Sequence, residues 1–244
     1  MKKITVLLAA AVFLMGGSSS AYDLAALAAK SLPSSFSYQP IPGTETFTFS
    51  GGTIPYRMGQ LTKIMPRVKK FSSGYIIEAQ LPQAVAEAMR PFFRLNPSEE
   101  EWEKLILLNR VFMNPDSTLR KDMQNTMMGL AVNAMGPLAE KNVTVEISGL
   151  EPFRRLSADE AYVFTAGAHI TYNAQGLILP MYSRAYFFPS GDRTGLDVLM
   201  LFTPDEGKGP LVYAIDDLAK EAAKEELLGS SGYKDLGELL ANKE

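Results

Sequence analysis

The sequence predicts a single-domain protein of the α+β class, in which an antiparallel β-sheet has helices packed on one face, an arrangement compatible with an α/β/α sandwich. Residues 142–203 alternate apolar and polar side chains with a period of two, which is typical of strands. Residues 97–135 and 211–228 instead repeat apolar side chains at helical spacing. No internal repeat and no clear linker divides the chain of 244 residues, so one domain is the simplest organisation.

Residues 1–21 have the composition of a secretory signal peptide. Lys2 and Lys3 precede an apolar stretch at 4–15, and the small residues at 19–21 form a cleavage site. The apolar stretch is too short to span the ~30 Å hydrocarbon core of a bilayer as a retained anchor. We therefore expect export to the periplasm or the medium, a mature chain that begins near Tyr22, and no transmembrane segment in that mature chain.

The composition excludes several classes of site. The chain has no cysteine and one histidine, which excludes disulfides, thiolate catalysis, cysteine-ligated metals and any site that needs two imidazoles. Without Lys2 and Lys3 the chain carries 22 basic and 27 acidic residues, a net charge of −5. It also has no long basic run, which nucleic-acid binding requires. We expect no metal, no cofactor and no nucleic-acid partner.

The first part of the mature chain, residues 22–60, is expected to form a mostly extended leading segment. It is rich in Ser, Pro, Gly and Thr, apart from a short Ala/Leu-rich helix at 23–30 and one strand near Thr46–Phe49. The folded α+β domain is assigned to residues 61–228, and its first strand candidate is Tyr75–Ala79.

Helix signals dominate the middle of the chain and recur near its end. Residues 82–89 are predicted as a short helix, and Pro97 and Pro115 each follow an Asn that caps a longer one. The second of these longer helices carries an apolar stripe, formed by Leu119, Met123, Met127, Leu130 and Ala134. A final helix is predicted at about 211–228, followed by a polar surface tail at 229–244.

Two turn signals set the register of the last three strands. If residues 173–176 form a four-residue turn, Tyr172 pairs with Leu177, and the next turn then pairs Phe188 with Gly195. This register places one mostly apolar set of side chains on a single face: Tyr162, Phe164, Ala166, Ala168, Ile170, Tyr172, Leu177, Leu179, Met181, Ser183, Ala185, Phe187, Leu196, Val198, Met200 and Phe202. We expect the helices to cover this face.

The other face of the same strands carries polar and aromatic side chains. The register predicts that Tyr186 lies opposite Asp197, that Arg184 is within ion-pair reach of Asp197, and that the Tyr182 ring covers Gly167. Two interpretations stay open: a solvated sheet face with ordinary cross-strand pairs, or a shallow surface on which tyrosines contact a ligand or partner and Arg184 holds an anion. The candidate binding residues are Tyr182, Arg184, Tyr186, Asp197, His169 and Thr165.

The chain offers little that is typical of an enzyme. No Gly-x-Ser-x-Gly elbow occurs, and His169 is the only imidazole that could act as a base. Carboxylate pairs occur, such as those at 205–206 and 216–217, yet each also has a structural explanation. The prediction leans towards a non-catalytic protein. The alternative is a carboxylate-dependent hydrolase with a cleft between sheet and helices.

The last third of the chain resembles the PsbP/Mog1-like α/β/α sandwich. The order is strand, turn, strand, a turn at Gly191-Asp192, strand, Thr203-Pro204, and then an amphipathic helix. The resemblance implies an exported accessory or binding protein rather than an enzyme, and it transfers no site residues. We therefore expect a soluble, non-catalytic envelope or secreted accessory protein that binds an unidentified protein or small ligand.

Overall fold

The computed structural model describes residues 22–49, 52–65, 67, 70–81, 143–156, 161, 163–174, 176–191 and 196–231. These residues form a seven-stranded antiparallel sheet and two helices, which confirms the α+β class with more sheet than helix. The signal segment at 1–21, the helices predicted between 82 and 135 and the end of the tail at 232–244 lie outside the described residues.

The elements follow one another as α1 (Leu24–Ser31), β1 (Phe36–Phe49), β2 (Gly52–Met65), β3 (Lys70–Leu81), β4 (Val143–Arg155), β5 (Phe164–Ala174), β6 (Leu177–Pro189), β7 (Leu196–Pro204) and α2 (Lys208–Ser231). The strand order in the sheet is β1-β2-β3-β7-β6-β5-β4, and every neighbouring pair is antiparallel. Each strand candidate from the sequence lies within one of these strands. The chain therefore leaves the sheet after β3 and returns at the far edge as β4.

The two described helices include the helices predicted at 23–30 and 211–228, with small differences at their ends. At the start of α1, the Asp23 carboxylate accepts hydrogen bonds from the backbone N–H groups of Ala25 and Ala26 at 2.9 and 3.3 Å, which satisfies two donors that the helix itself leaves unpaired. Helix α2 includes the predicted 211–228 and extends it to Lys208–Ser231. Pro210 is tolerated because it lies in the first turn, where no intrahelical N–H is needed.

The leading segment is extended, as expected, but it forms two paired strands instead of one. β2 runs across residue 60, so the segment is part of the same sheet as the residues that follow. β1 is an edge strand, and its ladder shifts register between Ile41 and Glu45, around Gly43 with a φ of 108°. Pro40 and Pro42 remove two N–H donors from this edge. An edge interrupted in this way is a poor template for pairing with another chain.

The register of the last three strands differs from the prediction by two residues at both turns. Tyr172 pairs with Leu179 instead of Leu177, and Phe188 pairs with Asp197 instead of Gly195. The first turn is tighter than predicted because Gly176, with a φ of 88°, donates its N–H to the Asn173 side chain at 3.1 Å. A shift of two residues leaves every side chain on its predicted face, since side chains alternate with a period of two.

The two described helices lie on the face opposite to the one that the sequence predicted they would cover. The buried cluster that includes α1 and α2 takes Tyr186, Phe188, Leu199 and Leu201 from the strands, so α1 and α2 lie against the face expected to be solvated. We call it the helix face; it also carries Tyr182 and Arg184. The sequence was ambiguous because β7 is apolar on both faces, as strands buried on both sides are. The alternation therefore could not decide which face the helices cover.

The other face, which we call the far face, carries the apolar set that includes Phe164, Ala185, Val198 and Met200. Phe164 and Val198 are buried, with 3% and 7% of their surface exposed, although neither belongs to the cluster around α1 and α2. Within the described ranges, no helix combines the length and the apolar character needed to cross a membrane.

Candidate functional site

Three of the predicted site residues meet in a buried polar network between the sheet and α2. The Arg184 guanidinium donates from Nε to Thr165 Oγ1 at 2.9 Å, and its Nη2 lies 3.3 Å from Asp216 Oδ1 on α2. The Tyr186 hydroxyl donates to the same Asp216 oxygen at 2.6 Å. Thr165 Oγ1 in turn donates to the Ala185 carbonyl at 2.9 Å. Arg184 and Tyr186 therefore bind α2 to the sheet.

The electrostatics of this network favour a structural role. Burial raises the pKa of Tyr186 well above its usual range, and the Asp216 carboxylate raises it further. Burial of Arg184 lowers its pKa, but Tyr186 and Asp216 outweigh this effect and the net pKa rises. Tyr186 thus keeps its proton, and Arg184 its charge, over the ordinary pH range. An ion pair this deep costs much stability when one partner is removed.

The acid beside Arg184 is Asp216 and not the predicted Asp197. Asp197 pairs in the ladder with Phe188, and Tyr186 lies opposite Leu199, so the predicted Tyr186–Asp197 and Arg184–Asp197 contacts are wrong. The signal that could have located the acid is the adjacent pair Asp216-Asp217 on the final helix. An arginine on a face destined for burial needs such a partner.

Tyr182 crosses Gly167, as the sequence predicts, although its pairing partner in the ladder is His169. The space at Gly167 is fully used, because a Cβ atom there would lie 2.8 Å from both the Tyr182 hydroxyl and Glu151 Oε2. Burial raises the pKa of Tyr182, and its hydrogen bond to Glu151 adds to the effect. An alanine at position 167 would therefore force the ends of the Tyr182 and Glu151 side chains to move.

His169 belongs to a second, more exposed polar group near the start of α2. Its Nδ1 lies 3.0 Å from Asp205 Oδ1, and the Lys208 ammonium donates to the same oxygen at 2.6 Å. The hydrogen bond from Lys208 lowers the pKa of Asp205, and the neighbouring His169 contributes a smaller effect. The Tyr182 ring lies 5.1 Å from the imidazole ring. Among the six predicted site residues, only His169 is partly exposed, and the other five are buried.

A third polar group lies where α1, α2 and the sheet meet. The Glu78 carboxylate accepts from the Tyr38 hydroxyl at 3.1 Å and from Arg57 Nη2 at 3.1 Å. Burial raises the pKa of Glu78, and Arg57 opposes this effect. Burial also raises the pKa of Tyr22, and the negative charges of three acids add to this effect. These acids are Asp197, Glu78 and Glu226.

The six predicted site residues are thus divided among these three groups. Thr165, Arg184, Tyr186, Tyr182 and Asp197 are buried on the helix face and cannot form the shallow solvated surface that the sequence analysis considered. Within the part of the chain that the structure describes, no cluster of three or more His, Asp or Glu side chains could hold a metal ion.

The described surface that stands out instead is an apolar area at one end of the far face. Five large side chains there are 44–73% exposed, and we call them the apolar end: Ile64, Phe71, Tyr75, Leu177 and Leu179. Ile64 pairs with Phe71 across β2 and β3. The rings of Tyr172 and Phe202 contact each other edge to face, with 6.0 Å between their centroids. This contact connects Leu179, which pairs with Tyr172, to Tyr75, which pairs with Phe202. Large exposed apolar patches are typical of interaction sites.

Comparison with known proteins identifies no relative: no protein family, no curated protein and no solved structure matches this chain.

Proposed function

We propose that this chain is an exported, non-catalytic accessory protein of the envelope or the medium, and that it binds a partner protein through the apolar end. The observation that carries the proposal is the exposure of five apolar side chains at one end of the sheet, on β2, β3 and β6: Ile64, Phe71, Tyr75, Leu177 and Leu179. Each exposed apolar side chain is unfavourable in water, and a protein surface that covers several together gains their burial.

The arrangement of the polar side chains supports a binding role over catalysis. Arg184, Tyr186 and Asp216 bond to one another and bind α2 to the sheet. His169 and Lys208 share one oxygen of Asp205 beside the loop that leads into α2. These groups stabilise the helix position, and a substrate would have to displace α2 to reach the buried ones.

Export through the predicted signal peptide is compatible with this fold. A mature chain that begins at Tyr22 keeps the Tyr22 side chain in the core, where its ring lies 5.9 Å from Phe188, and keeps the Asp23 cap of α1. A fusion of residues 1–21 to a reporter enzyme that is active only outside the cytoplasm would test export. A reporter that remains inactive would contradict it.

Site-specific photocrosslinking in intact cells tests the binding surface. A photoreactive phenylalanine analogue at Phe71 is expected to give a discrete crosslinked product with one protein. The matched control is the same analogue at Tyr213 on α2, because both side chains are over 70% exposed and Tyr213 lies outside the apolar end. The same products from both positions, or no product from Phe71, would contradict the proposed surface.

A second candidate function rests on the acids around Tyr22. The charges of Glu78, Asp197 and Glu226 all raise the pKa of Tyr22, and all three acids are buried on the side of the sheet where the alternative hydrolase would place its carboxylates. A screen of model glycosides and esters, with Glu78→Gln and Glu226→Gln as inactive controls, would test it. Turnover by the unaltered chain that both variants lose would favour this candidate over the binding protein.

A further inference from the structure

The two hairpins that carry the apolar end differ in charge from the rest of the chain. Residues 46–77, which contain β2 and most of β3, include five basic residues and no acid. Residues 161–191, which contain β5 and β6, include one arginine and no acid. The whole sequence has 27 acidic against 24 basic residues. The strands at the apolar end are therefore a cationic part of an acidic protein.

The strand register brings the two hairpins level with each other. Tyr75 pairs with Phe202, and Phe202 pairs with Ser183. Phe71 and Leu179 each lie four residues nearer to their own turn, so they reach the same height on the same face. Only β7 lies between β3 and β6, which separates the two strands by roughly 10 Å. A single partner surface can therefore cover both side chains.

Two cations lie directly beside the apolar side chains of β2 and β3. Lys63 precedes Ile64, and its ammonium lies 4.8 Å from the centre of the Phe36 ring. Arg67 is exposed in the connection between Ile64 and Phe71. Among the described residues, neither cation lies within ion-pair distance of an acid. Both charges are therefore available to an acid on another molecule.

An exposed acid lies at the same end of the sheet. The backbone N–H of Asp205 donates to the carbonyl of Pro180 at 3.0 Å, which places the residues that follow β7 beside Leu179. The Asp205 carboxylate accepts a 2.6 Å hydrogen bond from Lys208, whereas Glu206 is exposed. A uniformly anionic lipid surface would attract the two cations and repel this exposed acid. The mixed charge therefore favours a protein, whose side chains can match both signs.

We propose that the partner of the apolar end is a protein whose apolar surface is bordered by acidic side chains, and that these acids face Arg67 and Lys63. This assignment rests on the proposed function, in which the apolar end binds a protein. Burial of side chains such as Ile64 and Phe71 supplies the attraction. Opposite charges at the margin of the contact speed the encounter and fix the orientation of the complex.

Charge variants of the photocrosslinking experiment at Phe71 test the assignment in intact cells. Arg67→Glu is expected to lower the yield of the discrete crosslinked product by about threefold, because it replaces attraction to an acid with repulsion. Arg67→Lys keeps the charge and should keep the yield. Lys220→Glu is the matched control, because it changes the net charge equally on α2, outside the apolar end, and should also keep the yield.

The crosslinked segment of the partner gives a second measurement, which needs no charge variant. Peptide mass spectrometry of the product from Phe71 should locate the crosslink in a segment with more Asp and Glu than Lys and Arg. A segment with more basic than acidic residues would overturn the proposal, as would an unchanged yield with Arg67→Glu or an equal loss with Lys220→Glu. These results contradict only the charge of the partner, whereas the absence of any product at Phe71 contradicts the proposed function as well.

Sedimentation of the purified chain with lipid vesicles distinguishes a protein partner from a membrane. Vesicles of anionic phosphatidylglycerol and vesicles of zwitterionic phosphatidylcholine are both expected to leave the chain in the supernatant. Binding to phosphatidylglycerol that weakens with added salt and is lost in Arg67→Glu would overturn the proposal in favour of an anionic lipid surface.

Discussion

The hydroxyl of Tyr186 on β6 donates a 2.6 Å hydrogen bond to Asp216 on α2, and the same carboxylate oxygen lies 3.3 Å from Arg184. One acid of the final helix thus satisfies two side chains of the sheet. Thr165 on β5 accepts from the same arginine, so the network spans two strands and one helix. The position of α2 on the sheet depends on these contacts as well as on its apolar side.

Replacing Asp216 with Ala should destabilise the fold by about 3–5 kcal/mol, because it leaves Arg184 charged and unpaired in the interior. The neighbouring Asp217→Ala is the matched control: Asp217 is exposed and contacts Lys220 at 3.4 Å, and its loss should cost less than about 1 kcal/mol. Urea unfolding of both variants measures the difference. Equal effects of the two substitutions would contradict the network as the main attachment of α2.

Replacing Gly167 with Ala should destabilise the fold by about 1–3 kcal/mol, because the new Cβ would lie 2.8 Å from the Tyr182 hydroxyl and from Glu151 Oε2. Gly149→Ala on β4 is the control, since the nearest atom to its Cβ position, His169 Cδ2, lies at the ordinary contact distance of 3.5 Å. That substitution should be neutral or stabilising by up to about 1 kcal/mol. Thermal unfolding followed by circular dichroism measures both, and a neutral Gly167→Ala would disprove the close approach.

Glu78 should make the folded state less stable as the pH rises. Its pKa is raised in the folded state by burial, so the folded state holds the proton more tightly than the unfolded state. Its contribution is complete below the unfolded pKa and is lost as the pH rises through the folded one. The Glu78→Gln variant lacks this loss, so its stability relative to the original chain should increase between about pH 4 and about pH 7. Urea unfolding at several pH values checks the sign, and a decrease would refute it.

Replacing Phe71 with Asp should reduce binding of a hydrophobic dye such as ANS while changing the free energy of unfolding by less than about 0.5 kcal/mol. The reason is that Phe71 is 73% exposed and adds to the apolar end without supporting the core. Tyr213→Asp removes an aromatic ring of equal exposure from α2 and should leave dye binding unchanged. Identical dye binding by both variants would argue against a connected apolar surface.

Strand positions and faces follow from local pattern, and so they could be predicted. The alternation in 142–203 locates β4 to β7, and a register error of two residues left Tyr182 and Gly167 in contact. The side that the helices cover depends instead on contacts between distant residues. Leu199 and Leu201 are as apolar as Val198 and Met200, and the acid that allows Arg184 to be buried lies 32 positions further along, at Asp216.

The resemblance to PsbP/Mog1-like proteins remains a prediction, because no comparison bears on it.

In the leading segment, the full length of β1 could not be predicted from the local sequence. Pro40, Pro42 and Gly43 indicate irregular chain, yet Ile41 still pairs with Met58 and the strand continues to Phe49 beyond the interruption. A paired neighbour stabilises an extended conformation that the local composition disfavours.

The close turn at Gly176 has a consequence for how such a chain tolerates changes of length. A shift of the β5–β6 register by one residue, through an insertion or deletion in this turn, would turn every β6 side chain to the opposite face of the sheet. Arg184 would then no longer lie beneath α2. A shift of the register by two residues would move β6 along β5 but would leave each side chain on its original face. In homologous sequences, the length of this hairpin should therefore differ by even numbers of residues.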